Sequence, residues 1–297
     1  MLNIYKNRWI YMGISVAIIL VGLVFFLVSG FNVDIDFAGG TSITFDAGQA
    51  VDKAEVTELA NNALGFPVST VQVSIDNPAE FTIKTKAIDS ATADKLLLTF
   101  ITRYGLAEDY SDYSVNSFDP AYGKQLAGEA LWAVLIAVIL MLVYITIRFE
   151  FLSGLSAICA LIHDVLIMIS VYTIFRVPMN SSFIAVILTI LGYSINNTIV
   201  VFDRVRENQK LAKKETFAEI TDKSITQTLG RSINTTITTF VMVAVLYVLG
   251  VDSIKEFAFP LMVGLIGGAY SSVFIVSPLW ASMKTAGYNS RKKAEQK

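Results

Sequence analysis

Cysteine, histidine and charge are all scarce in this chain of 297 residues. The single cysteine, Cys159, lies within an apolar run, so an intrachain disulfide or a cysteine metal cluster is excluded. Charged residues make up 16% of the chain against 54% apolar residues, and the mean hydropathy is positive. Because the apolar residues are clustered in blocks, this composition excludes an ordinary soluble domain and predicts an integral membrane protein.

Motifs of the common enzyme classes are also missing from the sequence. It has no Walker motif, no metal-ligand spacing and no nucleophile beside a general base. The pair Gly39-Gly40 lacks the lysine and the following helix of a phosphate loop. Basic residues gather in short loops and acidic residues in one long segment, which argues against a nucleic acid partner. We therefore expect no enzymatic activity, no cofactor and no metal site.

Six apolar runs are long enough to cross about 30 Å of hydrocarbon. They cover 10–31, 130–147, 154–175, 182–202, 232–249 and 258–283. The first run follows Lys6 and Arg8, exceeds the usual apolar stretch of a signal peptide and has no A-x-A site after it. We expect it to be a retained signal anchor, with a cleaved signal peptide as the alternative.

Lysine and arginine are distributed unequally among the short loops. Many follow span four or the last span, whereas the alternate loops contain only Arg176 and Lys255. The positive-inside rule then places both termini in the cytoplasm and the long segment after span one outside. The predicted divisions are 1–31 for the N-terminus and first span, 32–128 for an extracytoplasmic domain, 129–283 for spans two to six with a cytoplasmic loop at 203–231, and 284–297 for a basic cytoplasmic tail.

The segment 32–128 has the alternation of a compact α+β domain. Strands are predicted at 41–46, 68–75, 81–86 and 113–118, and helices at 52–64 and 90–104. Asp52 with Glu55 resembles a capping box, Ser90 is expected to cap the second helix, and Gly65 and Gly105 end the two helices. This order of elements is typical of a ferredoxin-like fold. The predicted fold is thus a six-helix transmembrane bundle with an inserted ferredoxin-like extracytoplasmic domain.

Four stretches of the sequence carry a resemblance to a known family. Residues 33–41, VDIDFAGGT, include Asp36, Gly39, Gly40 and Thr41 and resemble the signature that follows the first span of SecF proteins. Three further matches follow in the family's order: HDV at 163–165, GYSINNTIVVFDRVREN at 192–208 and TQTLGR at 226–231. Together they span nearly the whole chain, and the sequence is identified as a member of the SecF family of protein-export proteins.

This resemblance implies a half-transporter of the resistance-nodulation-division superfamily in the bacterial cell membrane. Such a protein pairs with SecD, works with the SecYEG translocon on a translocating unfolded polypeptide, and uses the flow of protons down the proton motive force to assist late translocation. Two alternatives stay open at this point. One is a half-transporter of the same superfamily for small molecules or lipids, and the other is a passive scaffold of the translocon.

Span three contains two titratable residues, Asp164 and His163. An ionised carboxylate near mid-bilayer costs roughly 2.5 to 3.5 kcal/mol on insertion scales, so Asp164 is expected to have a partner. Its neighbour His163 is the single histidine of the chain and could titrate near neutral pH. Both are candidates for a proton path. The alternative is that they form a hydrogen-bonded pair between helices.

Spans four and five contain three further candidates for a proton path. Arg231 starts span five inside the water boundary, and the polar residues after it must face protein or water. Asp203 lies in a mixed-charge run where interfacial anchoring is the simpler interpretation. Asn197 has a depth comparable to that of Arg231, so a contact between them is geometrically possible. The family resemblance implies an aspartate at the Asn197 position, and asparagine cannot release a proton. Coupling must therefore use other carboxylates, including those of the partner subunit, or be altered.

Overall fold

The computed structural model describes residues 3–107 and 111–295, with side chains in the last helix up to residue 286. In chain order its elements are α1 (Arg8–Ser29), α2 (Ile35–Ala38), β1 (Gly40–Asp46), α3 (Lys53–Leu64), β2 (Thr70–Val73), β3 (Glu80–Thr85), α4 (Ser90–Tyr104), β4 (Tyr113–Phe118), α5 (Pro120–Arg148), α6 (Phe151–Ile174), α7 (Ser182–Leu211), α8 (Phe217–Leu249), α9 (Asp252–Ser271), a π-helical segment (Ser272–Val276) and α10 (Ser277–Glu295). Lys297 of the predicted basic tail lies outside the described residues, as do the side chains of Arg291, Lys292 and Lys293.

Among the described residues, six helices are long and apolar enough to cross a membrane, in agreement with the predicted number of spans. Two of them begin well before their apolar runs. Helix α5 begins at Pro120, where Asp119 accepts a hydrogen bond from the Ala121 amide at 2.7 Å. Helix α8 begins after a capping box formed by Thr216 and Glu219. Hydropathy therefore underestimates the length of these helices, because capped polar turns extend them beyond the apolar stretch.

The membrane helices divide into an inner and an outer set. The most apolar stretch of each helix is buried to 61% in α6, 44% in α7 and 56% in the helical run that starts with α9. The corresponding buried share is 11% in α1, 6% in α5 and 11% in α8. Close packing of the inner set depends on Gly264 of α9, since a side chain there would overlap Ile190 of α7 and Met168 of α6. The outer helices present wide apolar faces to lipid or to another protein.

Four strands form one sheet in the order β2-β3-β1-β4, and every neighbouring pair is antiparallel. Helices α3 and α4 pack on one face of this sheet around a shared apolar core. At its centre the rings of Phe45, Phe81 and Phe100 lie with their centroids 5.0 to 5.6 Å apart. The edge strand β4 is largely exposed on both faces.

The helix ends of this sheet domain match the sequence signals with two corrections. Asp52 caps α3 by accepting from the Ala54 amide, but Glu55 pairs with Arg103 and does not complete the predicted capping box. Gly65 and Gly105 end the two helices in the left-handed conformation. The cap of α4 is Asp89 and not the predicted Ser90, which is the first helical residue. Asp89 accepts hydrogen bonds from Thr92, which lower the pKa of its carboxyl. Either residue type can cap a helix, so adjacent Asp and Ser leave the choice open in the sequence.

Candidate functional site

Asp164 lies on α6 inside the bundle with 2% of its surface exposed. One carboxylate oxygen, Oδ2, accepts hydrogen bonds from the hydroxyls of Ser194 at 2.5 Å and Ser271 at 2.9 Å. The other oxygen, Oδ1, lies 2.9 Å from Nδ1 of His163. The carboxylate thus joins α6, α7 and α9, the three helices of the inner set. A buried carboxylate with this number of partners is stabilised where an isolated one would be expelled.

His163 contacts Asp164 although the two residues are adjacent on one helix. Its ring is mostly buried, and its second nitrogen, Nε2, is buried without a hydrogen-bond partner in the described part of the chain. An unpartnered buried ring nitrogen is costly unless water or another protein supplies the partner. The ring thus offers its Nε2 to a second donor or acceptor.

The two serines are the members of this cluster that sequence inspection missed. Ser194 lies in the span-four motif, and Ser271 lies in a run of small residues whose spacing of Gly264, Gly268 and Ser272 indicates helix packing. The neighbouring Ser272 does not reach Asp164, since its hydroxyl donates to the Ala269 carbonyl at 2.9 Å. Ser271 and Ser272 differ only in the direction in which each side chain leaves the helix. The sequence therefore gives no sign of which of the two hydroxyls reaches Asp164.

Asn197 is buried on α7, three residues after Ser194. Its side-chain nitrogen has no hydrogen-bond partner among the described residues, and no hydrogen bond joins it to Arg231. Asn197 thus lies one turn from Ser194 of the Asp164 cluster. Among the described residues, the possible contact between Arg231 and Asn197 is not a hydrogen bond.

Arg231 and Asp203 meet at an open groove between α7 and α8. The groove has a volume of about 310 Å³ and is lined by Val200, Asp203, Arg204, Glu207, Gln227, Thr228 and Arg231. Arg204 donates to Glu207 at 2.6 Å and to Gln227 at 2.7 Å. Asp203 is half exposed and 3.7 Å from Arg148, a weak ion pair. Arg231 is exposed and has no ion pair among the described residues.

The face of α8 that continues from Arg231 is polar and uncovered. Asn234 and Thr238 are exposed on the isolated chain, and their helix is one of the six candidate spans. Thr236 is the exception, since its hydroxyl is 2.7 Å from Tyr193 of α7. Lipid cannot solvate an exposed arginine and amide, so this face needs cover from protein or water.

The signature after the first span forms a structural junction. Asp36 accepts a hydrogen bond from the Ser181 amide at 2.9 Å, in the loop between α6 and α7. Gly39 has a φ of +76°, and a side chain there would strike Pro120 at the start of α5. Gly40 and Thr41 open strand β1, where Thr41 is buried and accepts from the Ile88 amide. These four residues therefore connect the start of α5, the α6–α7 loop and the sheet.

This architecture defines a class, a six-span membrane protein with an inserted sheet domain and a carboxylate held at the centre of its bundle. Residues 101–286 match the family described as protein export membrane protein SecD/SecF, C-terminal. The chain is 37% identical over 295 residues to the protein translocase subunit SecF of Alicyclobacillus acidocaldarius, which covers 98% of this chain and 94% of that relative. The chain belongs to the SecF family, which confirms the resemblance carried by its motifs.

Longer relatives match over part of their length. The protein translocase subunit SecDF of Bacillus subtilis is 38% identical over 274 residues, which cover 91% of this chain and 36% of that relative. The crystal structure of SecDF from Thermus thermophilus matches with a TM-score of 0.79 and 32% identity, over 96% of this chain and 39% of that one. The chain therefore spans somewhat over a third of the length of these two SecDF proteins.

Proposed function

We propose that the chain is a subunit of the Sec protein translocase of a bacterial cell membrane. In this role it pairs with SecD, acts beside the SecYEG translocon on a translocating unfolded polypeptide, and uses the proton motive force to assist late translocation. Its relatives are named as translocase subunits, and the SecDF relatives are longer proteins of which this chain matches one part. That relation supports SecD as the partner, since the SecDF relatives extend beyond the part that matches this chain.

The observation that carries the pairing is the uncovered polar face of α8. Arg231, Asn234 and Thr238 are exposed at the side of a helix apolar enough to span the membrane. A charged or amide side chain in a span faces a bundle interior or a water-filled cavity, and a single arginine exposed to lipid is costly. SecD is the partner we propose for this face, with the groove beside Arg231 as a water-accessible passage between the subunits.

Proton carriage is assigned in this proposal to Asp164. Its carboxylate is buried, hydrogen-bonded by two serines and next to a histidine, so protonation would change three contacts at once. A proton entering with the membrane potential releases about 2.3 kcal/mol per 100 mV, enough to shift a two-state equilibrium more than tenfold. No nucleotide hydrolysis is required by this chain. His163 and Arg231 are proposed to assist the transfer.

We also propose that the predicted segment 32–128 contains a ferredoxin-like extracytoplasmic domain, although its last residues from Pro120 belong to α5. The termini and the segment 203–231, which forms the adjoining ends of α7 and α8, are proposed to be cytoplasmic. The antiparallel order β2-β3-β1-β4, with two helices on one face, supports that fold type. The basic residues of the short loops support the orientation. Cysteine labelling of intact cells tests it in a Cys159→Ala background. A thiol at Lys86, exposed on the sheet domain, should react, whereas one at Lys213 should react only after permeabilisation; the reverse pattern would overturn the topology.

The function itself is tested by two measurements on native membranes. Purification of the tagged chain should recover SecD, and secretion of a precursor should require the proton gradient and Asp164. Recovery of a different partner with export of a small molecule or lipid would favour the alternative half-transporter. Secretion that is unaffected by Asp164→Asn, with SecD still bound, would leave the passive scaffold as the better account.

A further inference from the structure

Helix α9 contacts both the buried carboxylate and the sheet domain. Near its inner end, Ser271 donates to Asp164 at 2.9 Å. Near its outer end, Glu256 accepts hydrogen bonds from Gln72 of β2 and from Asn180 of the α6–α7 loop, each at 3.1 Å. The helix is continuous between these points, so the two contacts lie roughly 22 Å apart at 1.5 Å per residue.

We infer that α9 transmits the charge state of Asp164 to the docking of the sheet domain, through Ser271 at one end and Glu256 at the other. The inference rests on the proposed function in one respect, that Asp164 takes up and releases protons. It adds that α9 is the helix that carries the effect of protonation, and that the contact of Glu256 with the sheet domain is the point that responds.

The inner contact has two alternative arrangements. The Ser271 hydroxyl lies 2.9 Å from Asp164 Oδ2 and 3.2 Å from the carbonyl of Gly268 in its own helix. A carboxylate is the stronger acceptor, whereas a protonated carboxyl is a weaker acceptor and has a donor of its own. Protonation therefore favours the Gly268 carbonyl, and the hydroxyl stays paired in both states.

The choice of acceptor by Ser271 depends on the protonation of Asp164 and not on another charged group beside it. His163 is its one titratable partner in the described part of the chain, on the oxygen away from the serines. Helices α7 and α9 present the hydroxyls of Ser194 and Ser271 to it. No fixed charge among its hydrogen-bond partners holds Ser271 in one position.

The Ser271 end of α9 leads into an irregular segment. A π-helical segment, Ser272–Val276, begins at the residue after Ser271, and such segments interrupt the regular hydrogen-bond ladder and are frequent at functional positions. Gly268 packs closely against α7, since a Cβ there would lie 3.2 Å from Cβ of Ser194. The contact at this level is therefore formed by backbone and small side chains, and a shift of the Ser271 end is proposed to occur in the π-helical segment.

The outer contact is polar and separable. Besides the two bonds of Glu256, Lys53 of α3 lies 3.1 Å from Asp252 at the start of α9, with both side chains partly exposed. Exposed ion pairs contribute about 0 to 1 kcal/mol, so this pair resists separation weakly. A cleft of about 160 Å³ lies beside it between the sheet and α9, and Ser74 and Ser253 are among its lining residues. The domain can thus close on or open from α9 at this cleft.

Thiol cross-linking across that cleft tests the inference. The parent carries Ser74→Cys and Ser253→Cys with Cys159→Ala, in membranes that contain its partner, and a short bifunctional maleimide is the probe. We expect Asp164→Asn and Ser271→Ala to change the cross-linking rate in the same direction by about tenfold, the effect of one charge-assisted hydrogen bond on a two-state equilibrium. Ser272→Ala is the matched control, because its hydroxyl is equally buried but bonds only to its own helix; it should match the parent.

A second variant avoids any disturbance of the membrane core. Gln72→Ala removes one donor to Glu256 at the domain surface, and it should make the cross-linking rate insensitive to Asp164→Asn. An unchanged rate in Ser271→Ala, or an undiminished response to Asp164→Asn in Gln72→Ala, overturns the role of α9. Secretion measured on the same membranes separates the two proposals. Normal gradient-dependent secretion by Asp164→Asn refutes the proposed function, whereas lost secretion with unchanged cross-linking refutes the coupling alone.

Discussion

The sheet domain and the membrane bundle differ in the polar side chains that accompany their apolar interiors. The domain closes around Phe45, Phe81 and Phe100 and leaves its charged residues largely at the surface. The bundle buries Asp164 and Asn197 at its centre and exposes long apolar faces on α1, α5 and α8. In water an apolar interior supplies the driving force for folding, whereas in lipid it supplies little, and packing and polar contacts join the helices.

This contrast separates residues needed for folding from residues needed for function. An aromatic core residue of the domain contributes mainly to stability, since its removal leaves a cavity. A buried carboxylate costs free energy where it lies and persists in the bundle for a different reason. Mutations in the core of the sheet domain should therefore lower stability, whereas mutation of the buried carboxylate in the bundle should lower gradient-dependent secretion.

The largest effect is expected for Asp164→Asn. The amide cannot release a proton, so gradient-dependent secretion should fall by more than about tenfold, the scale set by about 2.3 kcal/mol per 100 mV. The level of the protein in the membrane should stay near that of the parent. Ser156→Ala is the control, because this buried hydroxyl of the same helix bonds only to the Ser153 carbonyl. Secretion assays at matched membrane levels decide, and equal losses in both variants would contradict a specific role of the carboxylate.

Arg231→Ala should follow closely in size. The exposed guanidinium has no ion pair in the described chain and is therefore free to attract a proton-carrying carboxylate on SecD or to respond to Asp164. We expect severe loss of gradient-dependent secretion. Arg204 lines the same groove, but its charge is already paired with Glu207 at 2.6 Å. Arg204→Ala should therefore have a small effect on secretion. Normal secretion by Arg231→Ala would refute this mechanism and favour the scaffold.

Phe100→Ala should affect the other interior and leave the bundle intact. A fragment of residues 34–119 is expected to fold with mixed α/β circular dichroism and a cooperative melt, because its core lies within it. Phe100 is fully buried between Phe45 and Phe81, so truncation should lower the free energy of unfolding by about 3 to 5 kcal/mol. Leu98→Ala is the control on the same helix, since Leu98 is 56% exposed and should change stability by less than about 0.5 kcal/mol. Equal destabilisation by both would contradict the packing.

The sequence predicted the elements of both regions well, because each follows a local pattern. Apolar runs located the six spans, and the glycines after α3 and α4 marked the ends of those helices. The site was predicted only in part. Asp164 is conspicuous as a charge within an apolar run, whereas Ser194 and Ser271 are neutral and resemble packing residues. Which hydroxyl reaches the carboxylate depends on how α7 and α9 are rotated, and that rotation is set by packing across the bundle.

The smallest effect is expected at Asn197, and it tests how far the bundle interior is specialised for proton transfer. The Asn197 side-chain nitrogen is buried without a partner in the described chain, so Asn197→Ala removes a group that already costs about 1 to 3 kcal/mol in desolvation. Its loss should leave membrane levels unchanged and reduce secretion mildly. Asn197→Asp places a carboxylate three residues after Ser194, one turn from the Asp164 cluster, and should remain active, since a neutral carboxyl fits the same space and can bind a proton. Gradient-dependent secretion by both variants, measured at matched levels beside Asp164→Asn, gives the comparison. Complete loss of secretion in Asn197→Ala would show that the amide has an essential partner on SecD. The polar contacts of the bundle interior would then be complete only in the complex.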